Sequence, residues 1–169
     1  MVLGMSLSTF TLLHVLISLA GIASGFAVIY GLLTGNRFDR WTAFFLVTTV
    51  LTSATGFLFP FEKLLPSHVV GTISLAVLAV AIAARYAFHM TGAWRWIYVV
   101  SAVLALYFNV FVLVVQSFLK VGTLHALAPT GTETPFKIAQ LVVLVVFVAL
   151  GTLAVKKFHP DSLTTAARA

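Results

Sequence analysis

Five apolar runs, each about long enough to cross a bilayer, constrain this chain more than any other feature. A hydrocarbon core about 30 Å thick takes roughly 20 apolar helical residues, and the runs near residues 10–35, 41–59, 67–88, 96–119 and 136–155 approach or exceed that length. Lipid offers backbone amides no water to bond, so such runs must be helices. The expectation is an all-α fold: a polytopic membrane helical bundle of five transmembrane helices forming a single domain over 1–169. With 61% of residues hydrophobic and 8% charged, five spans use nearly the whole chain and leave no soluble catalytic domain.

The charges that remain fall between the runs and sort by face. Arg37, Arg40, Arg85, Arg95, Lys156, Lys157 and Arg168 lie on one side, and Lys63, Lys120 and Lys137 on the other. The richer side is expected in the cytoplasm, which puts the N-terminus out and the C-terminus in. Trp41, Trp94 and Trp96 fall on the same rim, where an indole buries its ring and keeps its N–H among headgroups. Read this way, the formal charge of +6 orients spans and implies no nucleic-acid partner. The first run lacks a basic leader and continues well past a signal-peptide core, so it reads as a retained span. The inferred location is a bacterial inner (cytoplasmic) membrane, multi-pass.

Gly21 and Gly25 make a GxxxG spacing in the first span, a face that lets another helix approach closely. It suits packing within the bundle, or a homo-oligomer or membrane-complex partner.

Polar side chains within spans are expensive in lipid, so they mark where function is to be sought. The second span carries Thr48, Thr49, Thr52, Ser53 and Thr55, whose hydroxyls can bond back to their own helix. In the fourth, Tyr98, Asn109 and Gln116 are separated by eleven and seven residues, which at about 100° per residue brings them within roughly 20° of one line. That face must point into the bundle. Gln140, early in the fifth span, lies at a depth similar to Gln116.

The chain has no cysteine, so thiolate metal sites and thiol nucleophiles are excluded and any ligand set must come from His, Met, Asp, Glu or Tyr. Of five histidines, His14, His68 and His125 gather at or near the outer face with Glu62 and Glu133. His14 and His68 form the one intramembrane pair of similar depth, able to ligate haem b. His14, His68, His125, Glu62 and Glu133 can alternatively converge on a divalent metal, although no compact metal motif is present. A third option is a quinone pocket, with His14, His68, Gln116, Gln140 and Asn109 around the ligand and Phe57, Phe59 and Phe61 as walls. Against all three stands a structural role, in which these residues anchor loops and fix helix packing. The outer segment 120–135 is long for a helical hairpin, and Val121, Leu124 and Leu127 could lay an apolar edge across the polar layer as a cap.

Three strings, Thr52-Ser-Ala-Thr-Gly-Phe-Leu-Phe-Pro-Phe61, Gly92-Ala-Trp-Arg-Trp-Ile-Tyr98 and Leu127-Ala-Pro-Thr130, resemble a group of small uncharacterised bacterial multi-span inner-membrane proteins. That resemblance implies a membrane location and no activity. In span number and histidine placement the chain also resembles small membrane b-type cytochromes. The functional expectation is haem b, quinone or metal binding in electron transfer, with a non-catalytic accessory or assembly subunit as the rival and a small-solute transporter third. No predicted span holds a buried carboxylate, which weighs against proton-coupled transport.

Overall fold

A computed structural model describes residues 2, 4–60 and 66–159, with no metal or ligand included. Its helices are α1 (Leu7–Leu33), α2 (Asp39–Gly56), α3 (Pro66–Ile82), which runs on through a π-helical turn at Ala83–Ala87, α4 (Trp94–Lys120), the short α5 (Gly122–Leu127) and α6 (Thr134–Lys157). Each begins and ends for local reasons. Ser6 caps α1 by accepting from the Thr9 amide, and Gly35 follows its last turn with φ of 74°. Pro135 stands in the first turn of α6, where its missing N–H costs nothing.

Among the described residues, four helical stretches are long and apolar enough to cross a membrane: Leu7–Leu33, His68–Ala87, Trp94–Lys120 and Thr134–Lys157. The second expected span is the exception. It forms a helix, but α2 has 18 residues, opens on Asp39-Arg40 and carries the hydroxyl run. At 1.5 Å per residue it reaches about 27 Å.

The long helices alternate in direction. Along α1 and α2, His14 meets Thr55, while Cβ atoms built at Gly21, Gly25 and Gly31 would touch Thr48, Phe45 and Phe38. That order is an antiparallel pair in register from end to end. α4 is the central helix, packing on α1, α3 and α6, and it supplies Tyr98, Val99, Ala102, Ala105 and Leu106 to the core. α6 lies at the edge, with only Phe147 and Ala154 buried. Its exposed Ile138, Leu141, Val145 and Val148 suit contact with lipid.

The Gly21/Gly25 face is turned inward. Both glycines are buried, and a Cβ on Gly25 would lie 2.5 Å from Leu106 Cδ1 and 2.9 Å from Phe45 Cε2. The close approach is therefore used between α1, α2 and α4, the packing within the bundle that the spacing suits.

At the basic end, an ion pair between a buried arginine and an exposed aspartate ties two helices together. Arg85, in the π-helical turn, donates to Asp39 Oδ1 at the start of α2 and to the Arg37 carbonyl at 3.3 Å, with its guanidinium 5.1 Å from the Tyr98 ring centre. Nearby Arg95 holds the end of α6 through the carbonyls of Val155 (3.0 Å) and Phe158 (2.5 Å).

A candidate ligand cavity among the first four helices

At the opposite end, α1–α4 enclose a cavity of about 610 Å³, within the range that small-molecule sites occupy. Its walls are mainly apolar, with Ile22, Phe57, Phe59, Phe108 and Val112 among them, and its polar groups are few and convergent: His14 and Ser18 from α1, Thr52 and Ser53 from α2, His68 and Ser74 from α3, Asn109 and Gln116 from α4. Leu7, Lys120 and Val121 line its outer end.

The hydrogen bonds of His14 fix its chemistry. Nδ1 lies 2.8 Å from Thr55 Oγ1. The single Thr55 hydroxyl proton is directed at the Leu51 carbonyl, 2.6 Å away, with the Thr52 carbonyl at 3.2 Å. With that proton on the Leu51 carbonyl, Thr55 accepts from His14, and in that arrangement the neutral ring carries its proton on Nδ1 and its lone pair on Nε2. No described residue bonds that Nε2, and Phe59 holds the ring edge-on at 5.1 Å. Thr55 and Phe59 thus anchor an imidazole in the wall of the cavity.

The other polar residues divide into those with partners and those turned to the space. Asn109 donates through Nδ2 to Thr49 Oγ1 at 3.2 Å, and Ser53 to Ser74 at 3.2 Å, two bonds between helices. Gln116 lines the cavity about two turns farther from the Arg85 end than Asn109. Thr52 Oγ1 is buried with no partner among the described residues. His68 is buried at the start of α3, its ring 5.7 Å from that of Phe57.

Not every expected site residue joins them. Gln140 lies on the seam between α4 and α6, donating to the Phe111 carbonyl at 3.1 Å, and does not line the cavity. His125 is exposed on α5, away from the cavity lining. Glu133 closes the turn before α6 by accepting from the Thr130 amide and hydroxyl and from the Thr132 amide. Slight desolvation raises its pKa, but the bonds from Thr130 and Thr132 outweigh it and hold the carboxyl below its ordinary value. It behaves as a loop anchor. Glu62, like Phe61, lies outside the described residues. Among the described residues no three His, Asp or Glu side chains gather closely enough for a metal ion. The cap also differs from expectation: α5 packs on α4 and buries no side chain, and of Val121, Leu124 and Leu127 only Val121 lines the cavity.

Tyr98 shares the inward face of α4 with Asn109 and Gln116 but serves the basic end beside Arg85. What the sequence reading missed was the pairing of His14 with Thr55, the partnership of Arg85 with Asp39, and Lys120 as a wall residue. Each depends on which helices become neighbours. A single arginine inside an apolar helix, facing one acid at the start of another, was the one signal available for the second. Comparison of the chain with protein-family models, curated proteins and solved structures finds no match.

Proposed function

We propose that this protein is a five-span integral membrane protein, N-terminus outside, that binds a quinone-class ligand in its reduced, hydroxyl-bearing form as part of electron transfer. The observation that carries this reading is the hydrogen bond that anchors His14 Nδ1 on Thr55 in the wall of an apolar cavity; with the ring proton held on Nδ1, Nε2 is left as an acceptor. A quinol hydroxyl can donate there, while the Gln116 amide can serve an oxygen farther along the ring. Phe57, Phe59 and Phe108 supply flat apolar surface for that ring. In that role the chain acts as a subunit that binds and orients the ligand. α2, packed antiparallel between α1 and α3, completes the count of five spans.

Removal of the acceptor tests this directly. His14→Phe should keep the fold but weaken binding of 1,4-benzoquinol roughly 10- to 100-fold, the effect of leaving a buried donor unpaired. Thr55→Val, which frees the tautomer, should weaken it by a smaller factor. Equal affinity in wild type and His14→Phe, measured by titration calorimetry in detergent, would sink the reading.

Haem b is the second reading, favoured by the presence of His14 and His68 on different helices around one cavity. A proton held on Nδ1 by a neighbour is also what an axial histidine carries. A Soret band in the purified protein, lost in both His14→Ala and His68→Ala, would select haem. A colourless preparation that binds benzoquinol selects the first reading. One that binds neither, and co-purifies with a stoichiometric partner, selects an accessory subunit.

The native chain has no cysteine, so its topology is testable with single thiols. In the proposed orientation, Thr132→Cys reacts with an impermeant maleimide added to intact cells, and Thr91→Cys reacts only after lysis. The reverse pattern would invert the orientation.

A further inference from the structure

A second hollow, about 630 Å³, lies on the outer surface against α1 and the end of α4, lined by Leu7, Ser8, Thr11, Leu12, Val15 and Lys120. Four of these residues, Leu7, Thr11, Val15 and Lys120, also line the cavity. The two spaces thus meet along one narrow wall, the first turns of α1 facing the last residue of α4. Their chemistry differs. The cavity gathers the imidazole, amides and hydroxyls, whereas the surface groove is walled by Leu7, Leu12 and Val15 with short hydroxyls at its edge, and Leu12 is 61% exposed.

We infer that the ligand is an amphiphile that occupies both spaces, its polar ring in the cavity and a hydrocarbon tail passing between α1 and α4 into the surface groove. This rests on the reading of the cavity as a quinol site and adds to it the lipid-like class of the ligand and its lateral route of entry. A tail that leaves the cavity at this point stays in contact with lipid along its length, so a molecule dissolved in the bilayer need not cross water to bind. Lys120, common to both spaces, stands where the ring passes into the tail, and its stem can lie along the apolar wall while its ammonium reaches the headgroups.

A tryptophan placed in the groove reports the tail. In Leu12→Trp, a 1,4-benzoquinol bearing a brominated dodecyl chain should quench the added emission roughly by half, saturably, and tail-less benzoquinol in excess should reverse it. The native Trp41, Trp94 and Trp96 lie at the other end of the bundle and supply the background to subtract. Leu141→Trp, on the exposed face of α6, should show only the weak, non-saturating quenching of brominated detergent, and adding His14→Phe to Leu12→Trp should move the saturable part to roughly 10- to 100-fold higher concentration. If tail-less benzoquinol binds by calorimetry but the brominated analogue quenches the Leu12→Trp variant no more than the Leu141→Trp variant, the tail route is wrong and the head site stands. If neither binds, the head site fails and the tail inference with it.

Discussion

Gly25→Val should be among the most damaging single substitutions in this protein, lowering the melting temperature in detergent far more than Gly21→Ala. A Cβ at Gly25 meets Leu106 and Phe45, which are 0% and 1% exposed and have no free space into which to move. Overpacking of this kind costs about 1–3 kcal/mol for one added carbon, and the branched valine adds to it. At Gly21 the nearest atoms are Thr48 Oγ1 at 3.2 Å and Thr49 Oγ1 at 3.4 Å. A small adjustment accommodates alanine there, and the gain of about 0.8–1 kcal/mol in helix propensity offsets it. The ranking also separates two uses of the GxxxG spacing. An intramolecular contact predicts loss of monomer stability; a dimer contact predicts an unchanged melting temperature and weakened self-association, measured by sedimentation.

The second large effect concerns the ion pair at the basic end, where the two partners differ sharply in burial. The Arg85 side chain is 2% exposed and that of Asp39 is 71% exposed. Asp39→Asn removes the carboxylate that, among the described residues, is bonded to a buried guanidinium while leaving that charge in place, and should destabilise by about 2–3 kcal/mol. Arg85→Met removes the buried charge itself and fills much of its volume with apolar atoms, so its cost should be smaller. In the Arg85→Met background, Asp39→Asn should then be nearly silent, because the exposed contact of Asp39 with Arg37 at 3.8 Å contributes little. Chemical unfolding of the two single variants and the double variant measures this cycle. Additive costs would show that Asp39 acts as a negative charge in the first turn of α2 and not through Arg85.

Helix positions and their apolar character were legible from hydropathy, because lipid forces each apolar run to satisfy its own backbone. The inward face of α4 was legible too: Tyr98 and Asn109 are buried along the line that helical periodicity drew. Neighbour choice was not. Nothing local to His14 says that Thr55, 41 residues away, will fix its tautomer. Expected depth also misled for Gln140, which it pairs with Gln116 but which donates to the Phe111 carbonyl on the seam of α6, a helix that does not border the cavity. Depth is a one-dimensional coordinate, and a site also needs the angular order of helices around the bundle.

The central claim is that His14 presents a neutral Nε2 acceptor to a hydroxyl-bearing ligand, and ¹⁵N NMR of histidine-labelled protein, assigned with the His14→Phe variant, reads it directly. The account predicts a free ring protonated on Nδ1, with an Nε2 resonance that moves toward the hydrogen-bonded position as 1,4-benzoquinol is added and Nδ1 unchanged. A ring protonated on Nε2, or one indifferent to saturating benzoquinol, would contradict it.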